Sequence, residues 1–429
     1  MRYNPLDQRV YIKNRSKLKQ KLKPKSLVII HSNDVMPTNA DGTMKFRQNN
    51  DLFYLSGIDQ EETILVMCPD FPNESMREIL LVRETNEHIA IWEGNKLTKE
   101  RAEELSGIKN VQWTSNYEAT LAMLTTYAEH IYLSTNEHRG ASHEVVTKNA
   151  REIEKVKKDF PLHEFCRLAP GMESLRSVKE EEEVVQIQRA CDITEKGFRR
   201  VLSFIRPGVM EYEIEAEYMH EFLRQGSRGF AYEPIIGSGY NSCVLHYLEN
   251  DQVCQSGDLI LMDVGAEYGN YNADMTRTVP VSGKFNERQK SVYNAVLRVK
   301  KEAVNMLRPG VIIQEYQKEV GKVMEVELIG LGLLDRTDVK NQDPANPLYR
   351  KYFMHGTSHH LGLDVHDVGS VYEPVQKGMV FTVEPGIYIR EEGIGIRLEN
   401  NYVIGENKNL DLMANIPIEV EEIEGLMNA

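Results

Sequence analysis

The chain has 429 residues, 41% hydrophobic and 27% charged, which excludes a disordered, collagenous or fibrous protein and leaves room for two domains. A net charge of −14 argues against nucleic acid as a partner, because phosphate backbones select basic surfaces. The five cysteines (Cys68, Cys166, Cys191, Cys243, Cys254) stand at no CxxC spacing, so neither a disulfide framework nor a zinc knuckle is expected, and a cytoplasmic protein with reduced thiols fits.

The sequence opens without an apolar leader, and no apolar run is long enough to span a membrane. The Lys- and Arg-rich stretch 9–25 reads as a solvated helix face. Short apolar runs between turn signals then predict strands near 26–35, 62–68, 79–82, 89–92 and 131–133, with a helix over 99–105. This is an α/β domain, 1–172. Leu168-Ala169-Pro170-Gly171 reads as a turn, and Ser177, followed by Glu180 to Glu183, as a helix start for a second domain, 173–429. That domain repeats itself. Arg206-Pro207-Gly208-Val209 and Arg308-Pro309-Gly310-Val311 each end one helix and precede another, over 211–224 and 314–328, with strands after each pair. The pattern implies an internal duplication and two facing half-sites.

Each half carries a hairpin with two acids. A strand over 259–264, a turn centred on Tyr268-Gly269 and a return to Val281 place Asp263 directly across from Asp274. A strand over 379–389, broken at Pro385-Gly386, a turn at 390–393 and a return to Ile404 place Glu384 opposite Glu399. Like charges face to face in a sheet destabilise it, and buried carboxylates are costly unless paired. Surface acids are common, but these flanks are too apolar for a solvated face, so cations between the strands are the better reading.

Four histidines fall within His355 to His366, among glycines, and His246 stands apart in Leu245-His246-Tyr247. No HExxH motif is present, since His143-Glu144 lacks a second histidine at the right spacing. Four carboxylates with one imidazole are mostly hard donors, which suit manganese, magnesium or cobalt better than structural zinc. Two such ions can hold a hydroxide nucleophile and polarise a carbonyl. Gly237-Ser238-Gly239 lacks the third glycine of a dinucleotide site, and Ser358 has no nucleophile elbow around it.

The stretches 46–57, 355–359, 361–367, 383–388 and 395–399 resemble the motifs of aminopeptidase P, the Xaa-Pro aminopeptidase branch of the pita-bread metallopeptidases. The resemblance implies an α+β pita-bread catalytic domain and Asp263, Asp274, His359, Glu384 and Glu399 as ligands of two divalent ions, manganese in the family. Asp274 and Glu399 would bridge them, Glu384 would help deprotonate the bridging water, and the hydroxide so formed would attack the scissile carbonyl. His246 and His366 would steady the substrate and the tetrahedral intermediate, and His355, Tyr388 and Arg397 would organise the site. Trp92 stands where the family places an aromatic residue that reaches a neighbouring subunit's site, implying a homo-oligomer, dimer or tetramer. A place in the first domain's core is the alternative for Trp92. The implied substrates are peptides with proline at position two.

Three departures stand out: Asn400-Asn401 where the family has two aspartates, few arginines over 369–377, and a short turn at 390–393. The first touches what surrounds the ligands, and the others bear on substrate length. Prolidase shares fold and ligands but needs a cation for the dipeptide's carboxylate, which the sequence does not assign. Methionine aminopeptidase lacks so large an N-terminal domain. A non-catalytic peptide-binding relative would have lost the acids, and all five ligand positions are filled.

Overall fold

The computed structural model describes residues 2–142 and 144–429; His143, weighed above for an HExxH motif, lies outside them. One compact unit spans Pro5–Arg176, and a second comprises Ser177–Ala429 with the extreme N-terminus.

The first unit is built on a six-stranded mixed sheet. Its strands are β1 (Ser26–His31), β2 (Ile64–Met67), β3 (Glu78–Val82), β4 (Asn110–Trp113), β5 (His130–Leu133) and β6 (Glu164–Arg167), in the order β4-β3-β2-β1-β5-β6. Leu27, Ile29, Val66, Leu81 and Ile131 from the sheet pack with Leu121, Leu124 and Val156 of two helices, Tyr117–Thr125 and Lys148–Asp159. Two local expectations fail. Residues 89–92 form no strand but lie in the helix Glu87–Glu93, because the Asn86 side chain caps it by accepting from Ile89 N–H at 2.9 Å. The expected turn at 168–171 belongs to the helix Ala169–Arg176, where Pro170 sits in the first turn and forfeits no helical bond. The chain passes through residue 172 in mid-helix, and the two units divide after Arg176.

The second unit opens with the helix Glu181–Leu202, four residues beyond the expected Ser177 cap. Glu180 takes the cap position instead, donating its N–H to Glu183 Oε2 at 2.9 Å, and Glu181 to Glu183 favour the positive helix end. The duplication is visible in the backbone. Gly208 and Gly310 take φ of +94° and +89°; Gly208 N–H donates to Cys254 C=O and Gly310 N–H to Val375 C=O, both at 2.9 Å. Cys254 and Val375 in turn donate to Val209 and Val311 at 2.8 Å. Thus Cys254-Gln255-Ser256-Gly257 and Val375-Gln376-Lys377-Gly378 are a second matched pair. Each leads into a strand at the same offset, which makes Asp263 and Glu384 equivalent positions of the two halves.

The first half contributes β7 (Ile235–Ser238), β8 (Leu259–Val264), β9 (Glu267–Tyr268), β10 (Tyr271–Asn272) and β11 (Met275–Pro280). The second contributes β12 (Val380–Val383), β13 (Gly386–Ile389), β14 (Ile394–Arg397) and β15 (Asn400–Val403). The first hairpin turns at Gly269-Asn270, both with positive φ, one residue later than expected. Asp263 therefore faces Thr276, while Asp274 falls opposite Gly265. Gly265 is required there, since an added Cβ would lie 1.8 Å from Ala273 C=O. A slip of this parity keeps both aspartates on one face. The second hairpin has the expected register: Val383 pairs with Asn400 and Gly386 with Arg397, leaving Glu384 opposite Glu399 in the gap between ladders.

Beneath these sheets, Lys300 is buried on the helix Glu287–Met306 and donates to Tyr402 OH at 2.8 Å. Burial, aided by the Arg277 charge, pushes its ammonium down to about 7. The unfolded chain then binds more protons between pH 7 and the ordinary lysine range, so this group makes stability rise with pH across that window. Lys300→Met is expected to flatten that rise and add on the order of 3 kcal/mol at pH 7. Denaturant melts at pH 7 and 9 check this; equal slopes for both proteins would contradict it.

Candidate metal centre

Three of the four acids sit where the ladders break, so their backbone amides are free to bond other segments, two of them across the halves. Asp274 N–H donates to Asn401 Oδ1 at 3.0 Å, Glu399 N–H to Thr276 C=O at 3.1 Å, and Glu384 N–H to Thr357 C=O at 2.9 Å. The last bond ties the histidine segment to the second hairpin. Asp263 projects from within β8.

One donor atom each from Asp274, His359 and Glu399 lies within 4.8 Å of the others. His359 Nε2 is 3.3 Å from Asp274 Oδ2 and 3.5 Å from Glu384 Oε1. Its Nδ1 faces His360 C=O at 2.9 Å, which places a proton there and makes Nε2, the nitrogen facing the acids, the one that a cation would take in exchange for its proton. Asp263 Oδ2 accepts from Arg397 at 2.5 Å. Burial and the surrounding negative charges push Asp274 up, Glu399 well up, and Glu384 to about 7. Burial works against a charged His359, yet Asp274 and Glu384 outweigh it and lift the imidazole to about 9. This cluster is stable only with added positive charge, from protons or from cations. Glu399 Oε1 is buried without any hydrogen-bond partner, while its Oε2 accepts from Thr276 Oγ1 at 2.7 Å. A buried, unpartnered carboxylate oxygen among hard donors fits a divalent cation.

A one-way chain of hydrogen bonds supports the cluster. Arg397 Nη1 donates to Tyr388 OH at 2.8 Å, Tyr388 OH to His355 Nε2 at 2.8 Å, and His355 Nδ1 to Gly356 C=O at 2.8 Å. Burial, with Arg397 beside it, pushes His355 down to about 3, so it stays neutral and its Nε2 remains an acceptor. The His366 ring lies edge-on to His359 at 4.3 Å between centroids. Its neighbour Asp367 is fixed by Lys179 at 2.8 Å, a fully buried pair. His246 is exposed, on the loop after the short 3-10 turn Gly239–Cys243, near enough for its charge to act on His355. Trp92 belongs to the other unit. It is 78% exposed on its helix, so it is no part of that unit's core.

Several contributors were not foreseen. Tyr232 OH lies 2.5 Å from Asp263 Oδ1 and 2.6 Å from Asp274 Oδ1. Thr276, one pleat beyond Asp274, joins Arg397 Nε (3.1 Å) to Glu399. Gln317 Oε1 accepts from both the N–H and the hydroxyl of Thr357 at 2.7 Å. Asn401 also donates Nδ2 to Asp274 C=O at 2.6 Å. Only an amide both donates and accepts here, so Asn401 in place of aspartate grips the Asp274 backbone from both sides. Asn400 Oδ1 takes a bond from the fully buried Arg277 at 2.8 Å, and its Nδ2 reaches both oxygens of Asp411 at 2.9 Å. The repeated CQSG and VQKG segments were the available signal for pairing Asp263 with Glu384. No local pattern marks Tyr232.

Residues 185–406 match metallopeptidase family M24, and residues 11–132 match the aminopeptidase P N-terminal domain. The Xaa-Pro aminopeptidase of Escherichia coli is 36% identical over 97% of each chain, and that of Haemophilus influenzae 33% over 96% of each. Among solved structures, E. coli aminopeptidase P with the inhibitor Pro-Leu superposes with a TM-score of 0.87 at 34% identity, covering 99% of each chain. Proline aminopeptidase P II from Yersinia pestis gives the same TM-score and identity over 99% of this chain and all of that one. The chain belongs to metallopeptidase family M24, in its aminopeptidase P branch.

Proposed function

We propose that the chain releases the N-terminal residue from peptides with proline in second position. The observation that carries this reading is the cluster of Asp274, His359 and Glu399 with its unpartnered Glu399 oxygen, with Glu384 and Asp263 beside it, set in a chain similar along its whole length to Xaa-Pro aminopeptidases. Asp263, Asp274, His359, Glu384 and Glu399 would hold two divalent cations, manganese by preference. Such ions supply a water-derived nucleophile at neutral pH and polarise the scissile carbonyl. Glu384 takes the proton of the attacking water. His246 and His366 donate to the carbonyl oxygen as it gains charge. Arg397 orients Asp263, and Tyr388 with His355 fixes Arg397. A dedicated enzyme is needed because the Xaa-Pro bond has no N–H and proline fixes φ, so peptidases that read a hydrogen-bonded strand fit it poorly.

The exposed Trp92 supports a homo-oligomer, dimer or tetramer, in which it reaches a neighbour's substrate. The five free cysteines support a reducing, cytoplasmic setting. Among the described residues no helix is long and apolar enough to cross a membrane.

The test is to strip metal with a chelator, restore manganese, and compare an Xaa-Pro-Yaa tripeptide with an Xaa-Pro dipeptide. Manganese-dependent release of the first residue from the tripeptide, with the dipeptide slow, is expected. Dipeptide preference would move the assignment to prolidase, which the relatives do not favour.

A further inference from the structure

Tyr388 marks the inner wall of the site through its bonds to Arg397 and His355. Cys243, Val244, Leu245 and Tyr247 pack on its flank, which brings the 3-10 turn Gly239–Cys243 and the following His246 along the same edge. Gly395 N–H clamps that turn by donating to Ser242 Oγ at 2.9 Å. Two residues beyond Tyr388 and one past the end of β13 stands Arg390, first in the 3-10 turn Arg390–Glu392 that is short for the family. Its side chain reaches back to the turn Gly239–Cys243, whose Cys243 packs on Tyr388, so Arg390 stands on the same edge as His246. Its guanidinium is exposed and lies 5.9 Å from the Tyr240 ring, itself exposed. It makes no ion pair among the described residues: the nearby Glu392 is taken by Arg288 at 2.7 and 2.8 Å. Beyond Tyr240 opens a cavity of about 700 Å³ lined by Glu249, Asp251 and Asp258, which repels anions. An unpaired cation thus stands beside the turn that leads to His246.

We infer that Arg390, steadied by Tyr240, receives the C-terminal carboxylate of a short substrate and sets its preferred length at Xaa-Pro-Yaa. This rests on the Xaa-Pro reading above. With the substrate's amino end at the cations, two residues past the scissile bond span roughly 7 Å, and the two residues from Tyr388 to Arg390 span at most about the same. A dipeptide's carboxylate stops one residue short. An exposed guanidinium–carboxylate contact supports a discrimination of about fivefold.

The experiment compares kcat/KM for an Xaa-Pro-Yaa tripeptide acid with that for its C-terminal amide, at low ionic strength, in the manganese-loaded enzyme and in Arg390→Gln. Wild type is expected to favour the acid about fivefold, through KM rather than kcat. Arg390→Gln is expected to bring the acid-to-amide ratio near one, and Tyr240→Leu to lower it partway. Thermal melts confirm that both variants fold. A wild-type ratio near one, or a ratio unchanged in Arg390→Gln, overturns the assignment and leaves the Xaa-Pro reading standing. Wild type that cleaves neither peptide overturns that reading as well.

Discussion

Glu399→Gln is expected to lose about 10³-fold in kcat/KM and to bind manganese far more weakly, yet to be more stable than wild type when both are metal-free. The Glu399 carboxylate is buried beside Asp274 and Glu384, and one of its oxygens has no protein partner. Without a cation it is a liability of folding, because burial and like charge both oppose its ionised form. Glutamine keeps the shape and the bond from Thr276 while removing the charge. Added manganese stabilises only the chain that binds it, so the order of the two melting temperatures should reverse on loading. Melts with and without manganese check the crossing. A metal-free variant less stable than wild type would mean that the carboxylate is satisfied within the protein, and the cation reading would fail.

Tyr232→Phe carries the next largest effect. Its single hydroxyl proton serves one oxygen each of Asp263 and Asp274, acids on opposite arms of the first hairpin. Without it, each aspartate regains rotamer freedom that a bound ion must then freeze. Outer-shell groups of this kind typically contribute about 10- to 100-fold in metal affinity or activity. A drop of that size in manganese affinity, read by calorimetry, is expected with little change in fold. Unchanged affinity would show that the strands alone set the two carboxylates.

What the sequence showed and hid follows from the range of the forces involved. The second hairpin was legible to the residue, because Glu384 and Glu399 are fixed by one ladder on each side of a break that Pro385 announces. The first was displaced because Tyr268-Gly269-Asn270 offers two places for the turn. The chosen one is Gly269-Asn270, a two-residue turn in which both residues take positive φ, Asn270 at +69°. Period-two geometry kept Asp263 and Asp274 on one face despite the slip. Residues 89–92 look like a strand by composition, but Asn86 as a cap outweighs four apolar side chains that find no core. Tyr232 and Gln317 were invisible for another reason: each meets the site across separate elements, at sequence distances no periodicity reports, and Thr276, though two residues from Asp274, acts through bonds to Arg397 and Glu399 of the other half. Asn401 was noticed only as a departure. Its purpose, gripping both sides of the Asp274 peptide, exists only in three dimensions.

Five side chains from the two duplicated halves are expected to hold a pair of divalent ions that the reaction requires. Titrating the chelated protein with manganese, counting bound ions and measuring tripeptide cleavage on the same samples, tests it most directly. Two ions per chain are predicted, with cleavage appearing as they bind. Full cleavage by the metal-free protein, or a wild-type chain that binds no more manganese than Glu399→Gln, would contradict it.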